Sequence, residues 1–404
     1  MTTATQAPAV RAEGHIDPAA AFVPVQTRSE RPTSFDPADF GVPTGREVNW
    51  KHTPVARLAT VFLDEDTESG PDNAIAYDVA SIPDGMHIPS HGHDAPVRGE
   101  FFRPEDLPAA LAWKNGTDAL HVRIPGDAVV EETIRIDLAG VRGADGAPRH
   151  AQAHLIVEAM PNSAASVLLY HSGAAHYAQN VEIIVRDGAR LNLVSVQRWE
   201  EDAVHVASHQ ARVDRDASLT HVVVSLGGGV VRVNPSVELA GSGSECKLYG
   251  VSFSDAGQHL ESQVFMHHKG PHTTGDVLYK GALQGESARS VWIGDVLIGP
   301  DATGTNSYEA NRNLVLTDGA RAESIPNLEI ETGDIQGAGH ASATGRFDDE
   351  QLFYLQARGI DEQEARRLVV VGFLGEIVQK TGIPSLEEEL AAAILDELEA
   401  GERA

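Results

Sequence analysis

Between residues 119 and 345 the chain repeats one local pattern: a run of Val, Ile and Leu, a tight turn built from Gly, Asp, Asn or Ser, and another apolar run. VEIIVRDGARLNLVSV, ARVDRDASLTHVVVS and SVELAGSGSECKLYGVSF are three such segments, followed by ARSVWIGDVLIG and NLVLTDGARAESI. The small residue after the turn recurs as Ala189, Ala217 and Ser244, at steps of about 28 residues, with looser echoes at Ala288 and Ala320. Many short strands could build a sandwich or a barrel. Recurrence of one strand, turn and strand unit instead favours coils stacked in parallel, with a few strands of about five residues in each. The expected fold is therefore mainly β, a parallel β-helix whose corners are lined with small residues, because the chain turns sharply there against its own repeats above and below.

The pattern divides the chain. Residues 1–35, rich in Ala, Pro and Thr and without a basic start followed by an apolar stretch, read as a disordered leader. Residues 36–118 form an N-terminal mixed and helical region containing one helix, PEDLPAALAWKNG, expected to begin on Pro104 and end before Gly116. The solenoid spans 119–345, and 346–404 form a C-terminal helical domain. Three helices are expected there: one from Asp348 to Gly359, a second opened by Asp361 with Glu364 and stopped at Gly382, and a third opened by Ser385 with Glu388 and stopped at Gly401. The second, EARRLVVVGFLGEIVQK, is apolar around much of its circumference and needs a covering surface, either its own β-domain or a partner.

With 59 acidic against 31 basic residues the chain carries a formal charge of -28, which disfavours nucleic acid and anionic membranes as partners. Cys246 is the single cysteine, so no intramolecular disulfide forms and the cytoplasm is the expected compartment. Its alternation with Leu248 turns it inward as a buried thiol. The apolar run LVVVGFLG at 368–375 falls well short of the roughly 18 residues of a membrane span.

Several motifs compete for chemistry. GMHIPSHGHDAPVRGE sets His87, His91, His93, Asp94 and Glu100 close together, and Gly85, His91 and His93 echo the first metal motif of cupins. Glu100 lies too far along to complete that motif, so a cupin-like metal oxygenase stands against an exposed loop. In MHHKGPH, His267 and His268 face opposite sides of a strand and cannot share one ion, while His259 and His272 join them as polar residues near a solenoid corner. No GxxxxGK[ST] or GxSxG motif is present, and GAGHAS lacks the third glycine of a dinucleotide fingerprint. Carbohydrate lyases and hydrolases built on β-helices use clustered acids, Lys and Arg, and remain the enzyme alternative. GAGHASATGRFDDEQLFYL holds His340 among Gly, Ala and Ser, which suits either a loop in solvent or an imidazole presented to another chain.

The segments QHLESQVFMHHKGPHTTGDVLYKGAL, NRNLVLTDGARAESIPNLEIETGDI and HASATGRFDDEQLFYLQARGI, with the apolar helix ending GFLGEIV, resemble the SufB/SufD family of iron–sulfur cluster assembly, on its cysteine-poor SufD side. The likeness runs from VNWKHTP at residue 48 through the helical tail. It implies a right-handed parallel β-helix with helical flanks, no enzyme activity, pairing with a SufB-like paralogue through the β-helices, and docking of a SufC-like ABC-type ATPase on the C-terminal helices. A homodimer of the isolated chain is also compatible with it. The family's metal-associated histidine falls on His340, as a shared interface ligand. Many relatives carry a cysteine just before it, whereas Gly337, Ala338 and Gly339 stand here, so a thiolate from this side is not expected. Iron–sulfur clusters are held by about four mostly thiolate ligands. The expectation is therefore no cofactor bound stably by the chain alone, and iron or a cluster held transiently at the interface with SufB. Phe353, Leu368, Phe373 and Ile377 are the residues expected to form or support the ATPase dock.

Overall fold

The computed structural model describes residues 31–64, 74–79, 86, 88–347 and 349–403. Most of the expected leader, along with Gly85 and His87, lies outside the described residues; Phe35, at the leader's end, already packs on Trp113 with ring centroids 4.5 Å apart. Among the described residues eighteen strands form two nine-stranded sheets. From β3 (Ala119–Ile124) to β18 (Ile335–Arg346) successive strands alternate between the sheets, and from β5 (Arg149–Ala159) onward each is parallel to the strand one turn earlier. This is a β-solenoid of about 7 turns.

Each turn holds two strands of about ten residues rather than a few of about five. The difference has a packing cause. Glycines that read as breaks lie inside strands, where they leave room for large neighbours. Gly250 within β12 (Glu245–Ser254) is one: a Cβ there would lie 2.1 Å from the Tyr279 ring of β14 (Thr274–Leu283).

The corners repeat in backbone conformation as well as in sequence. Asn162, Gly188, Asp216, Gly243, His272 and Gly304 all have positive φ, and each stands at the same place before a strand of the first sheet. Gly, Asn and Asp accept this conformation at least cost, which is why these corners read as DG, DA and SG. The next residue is buried in every case: Ser163, Ala189, Ala217, Ser244, Thr273 and Thr305. Ala288 does not belong to this column. Ala288 and Ala320 precede β15 (Arg289–Ile298) and β17 (Arg321–Ile330) of the second sheet, so the identical tetrapeptide DGAR at 187–190 and 318–321 marks opposite edges of the solenoid.

Three apolar layers result. Inward residues such as Leu193, Val223, Leu248, Cys246 and Val277 fill the solenoid. The outer face of the first sheet carries Val194, Val196, Val222, Val224 and Val251, and the C-terminal helices cover it. The outer face of the second sheet meets Trp50, Leu58 and Val61 of the N-terminal region, alongside α1 (Leu107–Asn115). That helix starts later than Pro104, because the Asp106 side chain accepts the Ala109 N–H and so caps it.

In the tail, α2 spans Asp349–Gln356, α3 Glu362–Val378 and α4 Pro384–Arg403. Asp361 caps α3 by accepting the Glu364 N–H at 2.9 Å, as its spacing predicts. Ser385 does not open α4. Left-handed Gly382 ends the preceding turn and Pro384 begins the helix, its fixed φ suiting the first helical position. Gly401 does not stop α4 either, which continues to Arg403. Val370, Leu374 and Ile377 of α3 bury against the first sheet, each contributing about 1.5–3 kcal/mol relative to exposure. Lys280 Nζ donates to the Phe373 carbonyl at 2.8 Å and Asn192 to the Thr381 carbonyl at 2.8 Å, fixing the tail to the solenoid.

At the corner residue Gly241 a Cβ would lie 2.0 Å from the Arg215 backbone nitrogen, whereas at Gly333 it would meet nothing within 4 Å. Gly241→Ala is expected to lower unfolding free energy by about 1–3 kcal/mol, and Gly333→Ala to stay within about 0.5 kcal/mol, in urea denaturation.

Candidate functional site

The solenoid has one uncovered end. In the described residues β17 pairs with β15 and β18 with β16 (Thr305–Val315), each on one side, and no strand pairs with their outer edges. Residues of β7 (Ala175–Val185) to β16 are mostly buried, but those of β17 and β18 are half-buried or exposed. Register aligns Ala338, His340, Ser342 and Thr344 with Ser307, Glu309, Asn311 and Asn313 of the rung beneath. Ser342 Oγ meets Ser324 Oγ of the opposite sheet at 2.8 Å, so this parity of β18 faces the interior.

His340 is thus not in a loop. It lies on the last strand, on the interior parity, with its side chain 44 % exposed through the open end. Its Nδ1 is 3.9 Å from Oε1 of Glu309, whose side chain is fully buried. That separation is too long for a hydrogen bond. Neither Glu309 oxygen has a hydrogen-bond partner within ordinary geometry. Burial and the neighbouring Asp295 push its carboxyl up to about 8, although the nearby Asn327 backbone N–H acts the other way. Beneath this pair Trp292 Nε1 and Tyr279 OH also lack partners, beside a small polar cavity lined by Ser225, Ser252, Gly281, Ser290 and Asn311. Unpaired polar groups around a polar cavity are the usual setting for ordered water.

The remaining candidates separate. His91 pairs with His121 at 3.1 Å, while His93 packs edge-on against Trp113 near Arg98, so the two do not converge. Burial lowers both of their pKa values, helped by His121 for His91 and by Arg98 for His93. Among the described residues no group of three or more His, Cys, Asp or Glu is arranged to hold a metal ion. His268 faces inward and bonds Thr273 and Ser307, at 2.8 and 3.0 Å, while half-buried His267 lies on the opposite parity beside Lys269. His272 is a corner residue and His259 holds buried Glu261 at 2.9 Å. Cys246 is buried in the core, and burial pushes its thiol pKa up, away from the reactive thiolate.

Phe353 is 71 % exposed and Leu368 49 % exposed, with Tyr354 beside them at 54 %. Phe373 is half-buried under Lys280, and Ile377 is fully buried against the first sheet. The dock residues therefore divide into an outward pair and an inward pair that supports α3. Glu309 escaped the sequence reading. TNSYEANRNLV does place Glu309 on the same parity as Ser307, Asn311 and Asn313, but which parity faces inward depends on stacking against β14.

The fold is a two-sheeted β-solenoid with a helical tail folded onto one sheet and an open end bearing a histidine. The chain matches, over residues 141–373, the family described as "SUF system FeS cluster assembly, SufBD core domain". It is 47% identical over 372 residues to an iron-sulfur cluster assembly SufBD family protein of Mycobacterium bovis, covering 91% of this chain and 92% of that one. It is 24% identical to the iron-sulfur cluster assembly protein SufD of Escherichia coli, over 90% of this chain and 91% of that protein. Similar proteins of Mycobacterium leprae include one 45% identical over 90% of this chain and 93% of that protein and another 28% identical over 52% of this chain and 24% of that protein, so paralogues occur within one organism. This chain belongs to the SufBD family of iron–sulfur cluster assembly. Among its described residues no helix is long and apolar enough to cross a membrane.

With its carboxyl raised to about 8, Glu309 keeps a proton in the folded chain that the unfolded chain releases in the ordinary carboxylate range. The folded state then binds more protons across that window, so this group's contribution to stability falls as pH rises from about 4.5 to 8. Glu309→Gln should flatten that part of the stability–pH profile in urea denaturation; an unchanged slope would contradict the raised pKa.

Proposed function

We propose that this chain is a non-catalytic scaffold subunit of an iron–sulfur cluster assembly complex, pairing through the open end of its solenoid with a SufB-like paralogue and carrying a SufC-like ATPase on its helical tail. The observation that carries the reading is the terminal rung, where β17 and β18 leave free hydrogen-bonding edges beside exposed His340. Unpaired strand edges readily accept a further strand, and a paralogue of the same solenoid architecture is a matched occupant. With Cys246 buried, the thiolates must come from the other subunit, and His340 supplies at most one ligand to the transient iron or cluster.

Exposed Phe353, Tyr354 and Leu368 are the apolar surface proposed for the ATPase, with Phe373 and Ile377 holding α3 against the solenoid. Because α3 and α4 are fixed to the first sheet, a movement imposed on the tail by nucleotide-driven dimerisation of the ATPase would reach the terminal rung. The lyase alternative fares worse. The tail covers the outer face of the first sheet and the N-terminal region that of the second, leaving little of either face for a polysaccharide cleft.

Two pairs of substitutions separate the partners. Ile330→Asp with Ala341→Arg, both at exposed positions of the terminal rung, should abolish co-purification of the paralogue and leave the ATPase bound. Phe353→Asp with Leu368→Asp should do the reverse, with the far-ultraviolet circular dichroism unchanged. Retention of both partners by both variants would defeat the assignment.

A further inference from the structure

Against the burial of Glu309 stands only the nearby Asn327 backbone N–H, which is outside ordinary hydrogen-bond geometry. An acid in the interior normally accepts hydrogen bonds or faces a cation; Glu158 meets Arg186, Glu182 accepts three backbone N–H groups, and Glu261 meets Arg232 and His259. Glu309 has neither, and its neighbour across the rung is an imidazole at 3.9 Å, beyond hydrogen-bond range. Room for the carboxylate comes from Gly294, where a Cβ would lie 2.3 Å from Oε2.

We propose that Glu309 and His340 form this chain's half of a site for a divalent first-row transition cation such as ferrous iron, with the Glu309 carboxylate and the His340 Nδ1 as ligands. Two ligands with bonds of about 2.1 Å to one cation stand about 3.0 Å apart at a right angle and about 3.4 Å apart in a tetrahedral set, so from the observed 3.9 Å the imidazole and carboxylate must close by roughly 0.5–1 Å, within reach of side-chain rotation. A carboxylate with an imidazole suits iron, cobalt or zinc better than magnesium or calcium, which favour all-oxygen sets. The other coordination positions face the open end, available to water or to ligands from a partner. This rests on the reading of His340 as facing iron and adds to it: iron enters from the oxygen and nitrogen side, where this chain offers no thiolate, and its first anionic ligand is Glu309, which releases its proton to solvent as the cation binds.

The test uses the purified full chain under anaerobic conditions, with cobalt(II) as a spectroscopic probe and iron(II) in parallel. The wild-type chain should bind one cobalt(II) weakly, with visible ligand-field absorption. Glu309→Gln and His340→Ala should each weaken binding roughly tenfold or more, and the double variant should cost little beyond either single one. Glu309→Gln should melt no lower than wild type near neutral pH. Should that variant fail to fold, anomalous diffraction from wild-type crystals soaked in cobalt(II) gives the same answer, with a peak between Nδ1 and the carboxylate expected. Binding unchanged in Glu309→Gln, or no peak between the two groups, would overturn the inference. The assembly role is judged separately by co-purification with the paralogue and ATPase, which Glu309→Gln should leave intact.

Discussion

Every rung of this solenoid is completed by the next. A strand satisfies its backbone groups against strands above and below, and its inward side chains close over those of the rung beneath. The arrangement has no internal stopping point, so the last rung must leave edges and inward side chains uncovered. β17 and β18 carry that deficit, and His340 and Glu309 lie within it. The candidate site lies where stacking runs out.

The two flanks solve a related problem. A flat sheet has an outer face as well as an inner one, and the valines on the outer face of the first sheet would form a large apolar patch without the tail. α3 and α4 cover it and in doing so become mechanically continuous with the rungs. A load on the tail is therefore a load on the sheet that ends in β18, and the proposed ATPase dock on that tail would act through this contact.

Much of the architecture was legible beforehand because corners are local. The left-handed residue and the buried small residue beside it belong to one turn, and they repeat wherever the chain turns. Less legible was which corner is which. DGAR at 187–190 and 318–321 satisfies the same local geometry on opposite edges, so the sequence period blends two columns. Helix boundaries show the same limit. Asp361 caps α3 as its spacing suggests, but Ser385 loses to Pro384, whose ring already holds the first helical φ. The cupin-like histidines fail for a tertiary reason, since His91 turns to His121 and His93 to Trp113.

The sequence alone determined a stacked β architecture, an apolar helical tail, a buried lone thiol and a histidine set among small residues, because each depends on alternation or turn chemistry within a few neighbouring residues. Tertiary structure decided that the histidine occupies the final strand, that a buried acid lies 3.9 Å from it, and that Ile377 faces inward while Phe353 faces out. Those facts depend on register between strands about 30 residues apart and on which face of a helix meets a sheet, and local spacing carries no information about either.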